Sequence, residues 1–294
     1  DYTDSSCPAL LLEPQRTNSL PDGEYIANWA GANTTIVTNA AISPEGVQNA
    51  SSVTFASGGY WYKSVAGSYT AGSSHTWSIY ATTSDQVTRW GGFTPAGTDT
   101  FSVEDIGNGW YRQSLTRVVS GSGSGTFQPL MDWVFVGVGT TFNVYGAQLE
   151  YNASYATSYI PTYGTSVTRN ADDCLGAGNS SLFNVNGGVV FGEFAALSDD
   201  LTFRQFGIVG TTGNEVNLSL DSVSNRVGGI VRSGGTYYTT NYVVTDTTQV
   251  NKVALKYEGS DVKLFVNGVL VDTHTTASAP QSLSEFNFAI GTNN

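Results

Sequence analysis

Side chains able to do bond chemistry are few in this chain and poorly spaced for it. A glycosidase needs two carboxylates flanking one bond, about 5 Å apart for retention and wider for inversion. Glu104 and Asp105 are adjacent and would point to opposite faces of a strand. Asp172-Asp173 and Asp199-Asp200 stand in turn-like contexts, where acids bond the local backbone. A loop calcium site is the alternative for one of these pairs, since hard cations accept loop carboxylates and carbonyls. No other cofactor is expected. His75 and His274 are the only histidines, Cys7 and Cys174 the only cysteines, and no metal-ligand spacing occurs among them. No Gly-x-Ser-x-Gly elbow occurs, and Gly207–Gly213 lacks the Gly-Lys-Ser/Thr ending of a phosphate loop. The expectation is a protein without catalytic residues and without a metal centre.

Binding is the chemistry left. Tyr60-Trp61-Tyr62 puts three aromatics on consecutive positions after Gly58-Gly59. Strand alternation sets Trp61 against Tyr60 and Tyr62, so the three rings do not share one core, and one of them is expected to meet solvent or another chain. A flat exposed ring is a platform for the CH face of a sugar. Arg89-Trp90, followed by Gly91-Gly92, is a second candidate, and Tyr237-Tyr238 with Tyr242 and Arg232 a third. Core packing or a subunit contact is the alternative for Trp61 and Trp90, while Trp77, Trp110 and Trp133 are expected in the core.

Acidic residues outnumber basic ones 24 to 12, so the field repels phosphate backbones, and no basic patch offsets it. Nucleic acid is excluded as a partner, and strongly anionic polysaccharides are disfavoured. No apolar run is long enough to span a membrane as a helix. The chain opens at Asp1, and its one methionine is Met131, so a fragment or processed part of something longer is expected.

The elements that would carry such sites are strands. No window holds a 3.6-residue apolar period, and short alternating runs separated by Gly, Ser, Thr, Asn and Asp recur throughout. In residues 75–81, His75, Trp77, Ile79 and Ala81 share one face, with Thr76, Ser78 and Tyr80 on the other. In residues 110–119, Tyr111, Leu115 and Val119 oppose Arg112 and Thr116, but Gln113 and Arg117 interrupt the apolar side. Gly121–Gly125 has linker composition, yet strand-like sequence flanks it, so a loop within one domain is expected. Val253, Leu255 and Tyr257 face one way, and Val262, Leu264 and Val266 resume that face after Gly259-Ser260. Asn108-Gly109 and Asn267-Gly268 predict tight turns. The composition breaks at residues 170–180, predicting domains over 1–169 and 181–294 with a linker between them.

Leu10-Leu-Leu-Glu-Pro-Gln-Arg-Thr-Asn18, together with Thr140-Thr-Phe-Asn-Val-Tyr-Gly-Ala-Gln-Leu-Glu150 and Ser158-Tyr-Ile-Pro-Thr-Tyr-Gly-Thr-Ser-Val-Thr-Arg169, resembles a carbohydrate-module-like β-sandwich of bacteriophage head and tail fibre proteins. Val253-Ala-Leu-Lys-Tyr257 with Lys263-Leu-Phe-Val-Asn-Gly-Val269 is similar to the hairpin of laminin-G and concanavalin-type jelly rolls. The resemblances imply an all-β chain of two antiparallel β-sandwich (jelly-roll) domains in tandem. They also imply a virion-surface fibre component that forms a homo-oligomer, a trimer in many such fibres. Other virion proteins and cell-surface polysaccharide would be its partners. A secreted adhesin or a substrate-binding module of a glycan-degrading protein is the alternative. Domains similar to the second one continue past the strand at 286–291, so an incomplete C-terminal domain with an open edge is expected. Cys7 and Cys174 lie at opposite ends of the first module and are expected to be neighbours, either bridged or as two separate small apolar side chains.

Overall fold

The computed structural model describes residues 10–290. Its contacts divide the chain into two compact units, Gln15–Asn170 and a second beginning at Ala171 that includes the described residues before Gln15. Both are built almost wholly of antiparallel strands, the all-β architecture that the alternation predicts.

In the first unit the strands are β1 (Arg16–Asn18), β2 (Ala30–Ala41), β3 (Ala50–Tyr62), β4 (Val65–Tyr69), β5 (Ser74–Ala81), β6 (Thr88–Trp90) and β7 (Gly97–Gly107). They continue with β8 (Trp110–Val119), β9 (Gly123–Phe127), β10 (Pro129–Asp132), β11 (Thr141–Glu150) and β12 (Val167–Arg169). A 3₁₀ turn covers Ile26–Asn28, and a single α-turn, α1, covers Trp133–Val136. The large sheet runs β6-β10-β3-β11-β5-β8-β7, with β2 also on β3, while β4 pairs β9 and β1 pairs β12. Trp77, Ile79, Phe55, Phe127 and Leu149 are fully buried at its centre.

Two details depart from simple alternation. Thr76 and Ser78, on the polar side of β5, are also buried. The segment after β11 covers that face, and Thr76 donates to the Ala153 carbonyl at 2.9 Å. Gln113, the residue that interrupts the apolar side of β8, is fully buried. Its amide accepts from the Val87 N–H and donates to the Thr83 and Asp85 carbonyls, tying down the loop before β6. The glycine-rich stretch 121–125, expected as a loop, contributes strand β9 from Gly123 onward.

The motifs at 10–18 and 140–169 come together in one buried clasp. Asn18 uses all four of its side-chain bonding positions: it donates to the Ala147 and Ile160 carbonyls and accepts from the Leu20 and Leu149 amides, at 2.9–3.1 Å. Gln148 accepts from the Ile160 N–H and donates to Glu150, whose carboxylate also takes the amide and hydroxyl of Thr157. Asn18, Gln148, Glu150 and Thr157 have no exposed surface, so each of their polar atoms must find its partner within the protein. Arg16 pairs with Arg169 in the register of β1 and β12.

The second unit comprises β13 (Cys174–Ala177), β14 (Gly187–Phe194), β15 (Arg204–Val209), β16 (Glu215–Leu220), β17 (Arg226–Ser233), β18 (Thr236–Val243), β19 (Asn251–Glu258), β20 (Asp261–Val266), β21 (Val269–His274) and β22 (Glu285–Ile290). A six-stranded sheet, β13-β22-β15-β16-β17-β18, faces a four-stranded one, β14-β19-β20-β21, over Val216, Leu218, Val227, Leu255 and Leu264. Asn267 and Gly268 have φ of 50° and 85°, the pair of positive values that the predicted β20–β21 turn requires. Residues 170–180, expected as a linker, contain β13, which pairs with β22. Among the described strands β22 therefore lies inside its sheet, with β13 at the end of the order.

Candidate functional site

The sequence-predicted rings separate by burial. On β3, Tyr60 and Tyr62 lie on one side with their rings stacked at 6.0 Å, and Tyr60 is 40% exposed. Trp61 lies on the other side, packed against the core, and its indole N–H donates to the Ile26 carbonyl at 2.8 Å. Trp90 is buried between Phe127 and the Arg117 guanidinium, so it offers no face to a ligand. Its neighbour Arg89 pairs with Asp132. Tyr237 is exposed beneath Arg232, whose guanidinium carbon lies 4.5 Å from the ring centre. Tyr238 points the other way and donates to Ser278 at 3.2 Å, with His274 against its ring. None of these sequence-predicted side chains lines the cleft beside the 3₁₀ turn. Cys174 is exposed, and Cys7 lies outside the described residues.

A cleft of about 340 Å³ does exist in the first unit, at a place the sequence did not single out. Its walls are the 3₁₀ turn with Glu24 and Tyr25, the hairpin of β2 and β3 at Thr38, Asn39, Asn49 and Ser51, and Tyr163. Each wall has a local cause. Between the pairs Val37–Ser52 and Ala41–Ala50 the register slips, with Asn39 at φ 52°, so β2 bulges away from β3. The 3₁₀ turn is pinned from below by two tryptophans: Trp61 holds the Ile26 carbonyl, and Trp29 holds the Asp22 carbonyl at 3.1 Å. Gly23 passes so close to the Ala147 carbonyl that a Cβ would lie 2.4 Å from it, which seats Glu24 against β11.

Polar groups and exposed rings share this cleft. Tyr25 and Tyr163 are 46% and 62% exposed, with ring centres 5.8 Å apart and planes at 67°. Tyr159 donates to Glu24 Oε1 at 2.6 Å. Burial pushes the Glu24 carboxyl above the ordinary range despite that bond, and Glu45 adds to the rise. Burial pushes both the Tyr145 and Tyr159 phenols far up, helped by Glu45 and Glu24 at Tyr145 and by Glu24 at Tyr159. Asn49 Oδ1 is buried and has no donor among the described residues. The ten lining residues include no lysine or arginine.

Three of the acids considered for calcium have other partners. Asp200 pairs with Arg204 at 2.6 Å, Asp199 accepts from Ser224 and from the Asn225 amide, and Asp172 accepts from the Glu13 amide. Among the described residues no group of three or more ligating side chains comes together. His75 is fully buried against Phe127 and Tyr151, with Nε2 2.9 Å from Ser73 Oγ. Burial lowers its pKa to about 4. Among the described residues no helix is long and apolar enough to cross a membrane.

No protein-family model matches the chain, and no curated protein matches it. Among solved structures it is similar to domains LG4-5 of the mouse laminin alpha1 chain. The identity is 9% and the TM-score 0.28, over 76% of this chain and 79% of that one. A likeness this slight transfers no binding property.

Proposed function

We propose that the chain is a non-enzymatic glycan-binding protein and that the Glu24–Tyr163 cleft of its first unit is the binding site. The observation that carries this reading is the joining of exposed Tyr25 and Tyr163 rings to an amide-rich wall in one concave surface. Rings take the CH faces of a pyranose, and amides and hydroxyls take its hydroxyl groups. One carboxylate, Glu24, lines the cleft, whereas glycoside cleavage calls for a flanking pair.

The wider role rests on the resemblance at residues 10–18 and 140–169: a fibre component on the virion surface, assembled from copies of itself and joined to other virion proteins. One feature supports self-association. Strand β2 pairs only with β3 among the described strands, and its twelve residues carry no charge, so its free edge is open to another strand. Sedimentation of the intact chain is expected to give a trimer, and a monomer at every concentration would remove this part.

A glycan array with the intact chain tests the binding role. Tyr163→Ala and Tyr25→Ala are expected to lose signal while Tyr60→Ala keeps it. Equal signal from all three rejects the cleft. Release of shortened sugars from any bound glycan rejects the non-enzymatic reading.

A further inference from the structure

We infer that the Glu24–Tyr163 cleft selects sugars bearing an ammonium group, such as a de-N-acetylated amino sugar, over neutral and anionic ones. The inference rests on the glycan-binding reading and adds the ligand's charge. Among the described residues, the groups that bear on Glu24 are acidic or phenolic: Glu45 from the β2–β3 connection, Tyr145 from β11, and Tyr159 and Tyr163 from the segment after it. Lys63, close in sequence to this wall, is already paired with Asp22 and does not line the cleft.

An uncompensated carboxylate in a partly closed site repels an anionic sugar and gains little from a neutral one. An ammonium group supplies the counter-charge that the wall lacks, forming a charge-assisted bond to Glu24. The Tyr25 and Tyr163 rings add their negative faces to the same attraction. The half-buried Glu24 carboxyl resists ionising, and a bound cation relieves that resistance. Asn49, which also lines the cleft, keeps a buried Oδ1 without a donor among the described residues, an unmet acceptor within the same wall.

Calorimetric titration of the intact chain with oligomers of glucosamine, N-acetylglucosamine, glucose and glucuronic acid provides the test. Glucosamine oligomers are expected to bind about tenfold more tightly than the N-acetylated ones, and the preference is expected to shrink as salt rises. Glu24→Gln keeps an oxygen acceptor for Tyr159, so the fold is retained. In that variant the preference for glucosamine oligomers over the neutral ones is expected to disappear. Neutral oligomers binding as well as glucosamine, or a preference that survives in Glu24→Gln, overturns the ammonium selection and leaves glycan binding standing. Absence of binding by all four oligomers overturns both.

Discussion

Tyr159 and Glu24 share a 2.6 Å hydrogen bond across the seam between the 3₁₀ turn and the segment after β11. The bond holds the one acidic wall of the cleft against the unit's interior, where burial disfavours its charge. Because the folded carboxyl takes up protons more readily than an unfolded one, its stabilising contribution is full below pH 4.5 and is lost as pH rises through the folded value. Glu24→Gln is therefore expected to match or exceed the parent in stability at neutral pH and to lose that advantage below pH 4.5. Urea midpoints across this range measure it, and a parent that gains relative to the variant on alkalinisation contradicts it.

The Asn18 clasp predicts a large loss from a small change. Asn18→Ala strands two carbonyls and two amides in a site without water access and is expected to cost about 3 kcal/mol or more. Asn18→Asp is expected to be no better, because it retains acceptors for the Leu20 and Leu149 amides but offers no donor to the Ala147 and Ile160 carbonyls. Chemical denaturation of the isolated variants checks both.

His75 makes the first unit sensitive to acid. Its folded pKa of about 4 lies below the ordinary 6.5, so within that window the unfolded chain binds the extra proton. Stability is expected to fall as pH drops from 6.5 towards 4 and to level off below it. His75→Gln is expected to flatten that part of the profile. A variant with an unchanged slope would show that other groups cause it.

In the second unit the sheets meet closely enough to exclude a methyl group. A Cβ at Gly229 of β17 would lie 2.3 Å from Leu255 Cδ1, whose side chain is fully buried. Gly229→Ala is expected to cost about 1–3 kcal/mol by overpacking, and Gly229→Ala with Leu255→Val to recover part of it. Thermal melts of the two variants give the comparison.

Much of the fold was legible because strands bury alternate residues. Val253, Leu255, Val262 and Leu264 follow the pattern, and the Asn-Gly pairs at 108–109 and 267–268 adopt the positive φ values their turns demand. The covered outer face of β5 was not legible, because it is hidden by a segment without periodicity that lies some seventy residues downstream. The cleft escaped for the same reason. Glu24 and Tyr163 come from irregular segments far apart in sequence, and Asn39 and Asn49 from the irregular end of the β2–β3 hairpin, where the register slips. Consecutive aromatics gave a visible signal at residues 60–62, yet Trp61 serves as a brace for the 3₁₀ turn and Trp90 as filling. Composition alone does not separate a ring that packs from a ring that binds.

Where Arg16 lies opposite Arg169, the chain enters and leaves the first unit one strand spacing apart, about 4.8 Å. A body with both ends at a single doorway can be cut out and spliced into a loop elsewhere without forcing that loop apart. The unit could then be exchanged between host proteins as a cassette, with the recipient scaffold left unaltered.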